Sequence, residues 1–140
     1  MHVLVVDDSK VIQDSLCKLL VSLGYSVETA CNGLDALEKA QSNSHDLYIV
    51  DHLMPLMNGV QLSKNLSNNT YCQNTPILFI STQDLKHVKQ LAFSKASKPL
   101  AEYPLFSGVL SKPIQENDFL MALDLIEENR VVENSLSVVL

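Results

Sequence analysis

Basic residues are scarce in this chain: ten lysines and arginines stand against sixteen acids, for a formal net charge of −6. Binding to a phosphate backbone depends on clustered Lys and Arg that neutralise phosphates. No basic stripe is present, so direct nucleic-acid binding is not expected. Cysteine is sparse too. Cys17, Cys31 and Cys72 cannot all pair within one chain and show neither C-x-x-C nor Cys/His spacing, so they read as buried free thiols in a reducing cytosol. No hydrophobic run reaches membrane-spanning length, and the opening Met-His-Val-Leu-Val-Val-Asp-Asp stops too soon for a signal peptide. A cytoplasmic protein with no membrane partner is expected.

Glycine is also rare, with four in the chain. The turn after the first apolar run reads Asp-Asp-Ser-Lys, without a glycine that would let the backbone approach a pyrophosphate, and this argues against a dinucleotide site.

What the chain does have is a 46% hydrophobic content in 140 residues, enough for one core and one domain. Short apolar runs at residues 3–6, 26–30, 47–50, 77–80 and 106–110 alternate with segments of helical period. That order predicts a parallel sheet wrapped by crossover helices. Most of the runs are continuously apolar or nearly so, as strands covered on both faces must be, whereas 26–30 alternates and suits a sheet edge.

The first helix is carried by Ile12, Leu16, Leu19, Leu20 and Leu23, with a cap at Asp8 or Ser9 and a stop at Gly24. Further helices are expected across 34–40, 60–66, 84–96 and 118–128, with 65–74 as a polar loop. Five strands with right-handed crossovers favour a doubly wound, flavodoxin-like sheet of order 2-1-3-4-5, whose functional crevice lies at the strand carboxyl ends. The expected domain covers residues 1–129, leaving 130–140 as a tail or the start of a linker. An output module is not readable in so short a remainder, and further sequence is expected only at the carboxyl end.

The chemistry-bearing residues fall at those carboxyl ends. Asp7 and Asp8 end the first run, Asp51 the third and Ser81 the fourth, and Lys112 follows the fifth. Singly, each has an ordinary explanation as a cap, a turn residue or a loop lysine. Together, three acids in one crevice repel each other unless a cation sits among them. An all-oxygen site with room for water suits magnesium, with manganese as its substitute. Phosphoryl transfer needs positioning and charge neutralisation around an in-line nucleophile, and the Asp51 carboxylate fits that part.

These residues sit in longer stretches: Val-Leu-Val-Val-Asp-Asp-Ser at 3–9, Gly-Tyr-Ser-Val-Glu-Thr-Ala at 24–30, Asn-Gly-Leu-Asp-Ala-Leu-Glu at 32–38, Val-Asp-His-Leu-Met-Pro-Leu-Met-Asn-Gly at 50–59 and Ser-Lys-Pro-Ile at 111–114. In them the chain resembles the CheY-like receiver domain of two-component response regulators. The resemblance implies that Asp51 is the phosphoacceptor, that Asp8, Asp51 and the backbone carbonyl of Leu53 hold Mg2+ or Mn2+, and that Asp7 acts through water. Ser81 matches the switch hydroxyl and Lys112 the conserved lysine of the family.

A second Lys-Pro lies at Lys98-Pro99, but the residues before it make a poor central strand, so Lys112 is preferred. The chain departs from many members in carrying Val109 where they have an aromatic switch residue, and in an apparent insertion at 94–107. His45, His52 and His87 read as solvated or partner-facing surface residues.

The implied function is a phosphorelay switch rather than an enzyme with a separate substrate, although it assists its own phosphorylation and dephosphorylation. Its donor would be a sensor histidine kinase or a histidine phosphotransfer protein. Its target would be a downstream protein or a C-terminal output domain, and dimerisation on phosphorylation is left open. The output surface is expected at the fourth helix, the insertion and the fifth strand, with Thr82, Tyr103 or Phe106 taking part. The alternative is a phosphorylation-independent interaction module. A hydrolase with an aspartyl-phosphate nucleophile would want an acid just after Asp51, and His52 and Leu53 stand there instead.

Overall fold

Hydrophobicity on both faces of a strand forces it between two layers, and the core of this protein is divided accordingly. The computed structural model describes residues 1–82 and 106–139. Five strands, β1 (His2–Val6), β2 (Ser26–Ala30), β3 (Leu47–Asp51), β4 (Ile77–Ser81) and β5 (Phe106–Ser111), form one sheet of order β2-β1-β3-β4-β5. Every neighbouring pair is parallel, as the alternating sequence pattern predicts. Four helices are present among the described residues: α1 (Lys10–Ser22), α2 (Gly33–Ser42), α3 (Gly59–Ser67) and α4 (Glu116–Val139). The helix expected across 84–96, the Lys98-Pro99 pair, His87, Tyr103 and most of the 94–107 insertion fall outside the described residues.

Successive strand residues face opposite layers. Leu4, Val6, Tyr48, Val50 and Phe79 join Ala36 and Ala40 of α2 and Leu62 and Leu66 of α3 on one side. On the other side Val3, Val5, Leu47, Ile49, Leu78 and Ile80 meet Leu16 and Leu20 of α1 and Phe119, Leu123 and Ile126 of α4. Burying each large apolar side chain contributes about 1.5–3 kcal/mol. β2 is the edge strand its alternation implied, and it is exposed at Ser26 and buried at Ala30.

The helix starts follow from local chemistry. Ser9, not Asp8, caps α1, its side chain accepting from the Ile12 N–H, and Gly24 leaves the helix end at φ +89. Asn32 caps α2, and Asn58 with Gln61 forms a reciprocal capping box on α3. The elements run slightly beyond the expected spans, and the largest difference is at the last helix. It continues to Val139 instead of ending near residue 128. No glycine or proline interrupts the sequence there, and the Arg130 guanidinium donates to Asp46 Oδ1 at 3.0 Å, fastening the helix beneath the sheet.

Candidate functional site

The carboxyl ends of β1, β3, β4 and β5 converge on one group of polar side chains. Asp7 follows β1 directly, and its side chain is fully buried. Its backbone N–H donates to the Ala30 carbonyl at 3.1 Å, and its Oδ1 accepts the Ser9 N–H at 2.8 Å. Asp51 is the last residue of β3 and is 3% exposed. Ser81 ends β4 and is buried, and the Lys112 N–H donates to its carbonyl at 2.8 Å. The Lys112 ammonium, next to a cis Lys112-Pro113 bond, lies 2.9 Å from Asp7 Oδ2 and 3.1 Å from Asp51 Oδ1. Asp8 is exposed at the rim, and one carboxylate oxygen from each of Asp7, Asp8 and Asp51 lies within 4.8 Å of the others.

Burial and like charge govern the protonation of this group. The Asp51 carboxyl is pushed up to about 6, first by burial and then by the Asp7 charge, against the opposing pull of Lys112, with Asp8 adding to the rise. Burial alone would lower Lys112, but its hydrogen bonds to Asp7 and Asp51 and their charges outweigh that and raise it. Three carboxylates thus share one ammonium among the described residues. The deficit of positive charge and the oxygen-only donor set fit a hard divalent cation such as Mg2+.

Two residues outside the expected set hold the site in place. Gln13 is buried on α1, and its side-chain amide donates to the carbonyls of Asp7 at 2.6 Å and Ala30 at 3.1 Å. The signal was a polar residue three and seven positions before Leu16 and Leu20, inside the apolar stripe. Gly59 lets the start of α3 sit against the end of β3: a Cβ there would lie 2.5 Å from the Asp51 carbonyl oxygen and 3.0 Å from the His52 Cα. The Gly59 N–H donates to the His52 carbonyl at 2.8 Å.

That close approach explains one correction. His52 was expected at the surface, but it is 5% exposed, because α3 closes over the end of β3. His45 was also expected at the surface and is buried. Its ring packs against Tyr48 of its own segment, the β1–β3 pairing brings His2 onto it, and its Nε2 lies 2.9 Å from Glu28 Oε1. Among the cysteines only Cys72 is buried, because Cys17 sits at the margin of α1 and Cys31 lies in the exposed turn before α2. Leu53, whose carbonyl was assigned to the metal, lies in the β3–α3 turn and is exposed, as is Leu56 in the same turn, at φ 69. Val109 is buried in the layer where Phe79 and Phe106 pair with ring centroids 6.0 Å apart.

Comparisons with known proteins agree with this geometry. The family described as Response regulator receiver domain matches residues 3–124. Protein PilG of Pseudomonas aeruginosa is 36% identical over 84 residues, a match covering 60% of this chain and 62% of that protein. The chain spans less than two thirds of the length of the curated relatives it matches first. Among solved structures, the chemotaxis protein CheY4 of Vibrio cholerae superposes with a TM-score of 0.75 at 34% identity, covering 89% of this chain and 97% of that one. A signal receiver domain of an HD domain-containing protein from Pseudomonas fluorescens gives 0.77 at 26% identity, with 94% and 97% covered.

Proposed function

The chain belongs to the response regulator receiver domain family, and from that premise we propose that it is a phosphorelay switch in which Asp51 accepts a phosphoryl group from a phosphohistidine. The observation that carries this reading is the Lys112 ammonium set between Asp7 and Asp51, with Asp8 at the rim of the same cluster.

An Asp51 carboxylate oxygen attacks phosphorus, the O–P bond forms as the N–P bond of the donor breaks, and the donor imidazole keeps the electron pair and takes up a proton. Lys112, 3.1 Å from Asp51, would pair with a phosphoryl oxygen, and the Ser81 hydroxyl at the end of β4 would donate to another. Asp8, Asp51 and the Leu53 carbonyl would hold Mg2+ or Mn2+ directly, with Asp7 acting through water. When bound, the ion neutralises charge on the transferred group.

In this reading the chain is not an enzyme with a separate substrate. It takes the phosphoryl group from a sensor histidine kinase or phosphotransfer protein, assists its later hydrolysis, and passes the signal to a protein target or to an attached output domain. We place it in the cytoplasm, where such donors work. No helix among the described residues is long and apolar enough to cross a membrane.

The test is labelling by acetyl phosphate or a phosphorylated donor with and without magnesium. A magnesium-dependent label is expected on the parent and none on Asp51→Asn. Full labelling of that variant would remove the proposal.

A further inference from the structure

A second cluster of metal-binding side chains lies at the other end of the sheet. His2 opens β1, Glu28 stands in the middle of β2, and His45 comes two residues before β3. One ligand atom from each lies within 4.8 Å of the others. β1 separates this cluster from the acidic pocket by its own length, about 16 Å at 3.3 Å per residue.

Part of the cluster is fixed in place by its surroundings. The His45 side chain has no exposed surface, and its Nε2 lies 2.9 Å from Glu28 Oε1. The His2 ring stacks on it with centroids 4.8 Å apart and planes 12° from parallel. Surrounding residues fix the ligands from behind. Asn43 Nδ2 donates to both Glu28 oxygens, at 3.2 and 3.1 Å. The backbone of His2 is held on both sides by Asp46, which accepts its N–H at 2.7 Å and donates to its carbonyl at 2.7 Å. Arg130 in turn fixes Asp46. Such outer contacts orient ligands and are characteristic of metal sites.

We propose that His2, Glu28 and His45 form a binding site for a divalent cation of the zinc class. Two imidazoles and one carboxylate suit zinc and its neighbours, which accept nitrogen ligands in tetrahedral sites and leave a fourth position to water. Magnesium prefers oxygen ligands in octahedral geometry and is poorly matched here. The two ends of the sheet therefore select different ions.

Binding requires a small rearrangement. Ligand atoms about 2.0–2.1 Å from a tetrahedral ion stand about 3.4 Å apart, so the His45–Glu28 pair opens slightly. A ring nitrogen's lone pair lies in the ring plane, so the His2 ring, partly exposed, swings out of its stack to face the ion, while His45 remains fixed.

The test titrates untagged full-length chain with Zn2+ by calorimetry in excess Mg2+, which keeps the acidic pocket occupied. Co2+ serves as a spectroscopic probe of ligand type. One equivalent of Zn2+ should bind, Co2+ should give a d–d spectrum without sulfur charge transfer, and Zn2+ should raise the melting temperature. His2→Gln and Glu28→Gln, at the less buried ligands, should each weaken Zn2+ at least about tenfold, and Cys31→Ser should not. Absence of Zn2+ binding would overturn the proposal, as would affinity unchanged in both ligand variants. Lower melting temperatures in those variants, without any zinc-dependent rise in the parent, would also overturn it and leave only a hydrogen-bonded clamp on the edge strand.

Discussion

Asp51 is held in a place where its charge costs folding energy, and removing that charge should stabilise the metal-free protein. Its carboxyl is pushed up from 3.8 to about 6, chiefly by burial, with Asp7 adding to the rise. Because the folded value lies above the unfolded one, the native state carries no penalty while both states are protonated at low pH. It loses stability as pH rises across the window from 3.8 to about 6, and above that window the penalty is complete. At about 1.36 kcal/mol per unit, the full penalty is about 3 kcal/mol, and near pH 4.5 it is about 1 kcal/mol. Asp51→Asn keeps the shape and drops the charge, at the expense of a weaker bond to Lys112. In urea denaturation with chelator at about pH 7.5, the variant should be more stable by about 2–3 kcal/mol, a midpoint shift on the order of 1–2 M at an ordinary m-value. The gap should shrink to about a third near pH 4.5, and saturating magnesium should narrow it by stabilising the parent. A variant less stable than the parent at pH 7.5, or a gap indifferent to pH, would refute the reasoning.

Removing Lys112 as Lys112→Ala leaves Asp7 and Asp51 facing each other in a buried site. It should abolish the protection changes that beryllofluoride induces in hydrogen exchange, while Lys98→Ala preserves them, and the reverse pattern would mean the wrong lysine has been assigned. Magnesium affinity measured calorimetrically should fall further in Asp8→Ala than in Asp7→Ala, if Asp8 is a direct ligand and Asp7 acts through water. Gly59→Ala places a methyl 2.5 Å from the Asp51 carbonyl oxygen, against backbone that cannot give way. It should cost about 1–3 kcal/mol in urea titrations and slow labelling of Asp51, and a neutral effect on both would show that the β3–α3 contact is compliant.

The strand order and the positions of the acids, Ser81 and Lys112 could be read from the chain because a parallel sheet writes its strands as contiguous apolar runs. The residues that end those runs all meet at one edge. What escaped reading depends on contacts distant in sequence. His45 looks polar and loop-borne, and its burial exists only once β1 pairs with both β3 and β2, which brings His2 and Glu28 beside it. His52 is covered by a helix start whose approach depends on the bare backbone of Gly59. Gln13 could be found only by asking why an amide interrupts the apolar stripe of α1. The extension of α4 past residue 128 likewise depends on a distant contact, since Arg130 finds its partner in Asp46.

The amide of Gln13 also decides how one flank of the site answers to charge. One neutral side chain ties the ends of β1 and β2 to α1, and having no charge it does not answer to charge appearing nearby. On the opposite flank, the β4–β5 pairing has a register break between Ile77 and Leu78, at the amino end of β4, and runs regularly from there to Ser81 and Ser111 beside the site. In the proposed reaction, charge arriving on Asp51 would meet one flank anchored by a neutral amide and another tied by the Lys112 N–H on the Ser81 carbonyl, beside the charged Lys112 side chain.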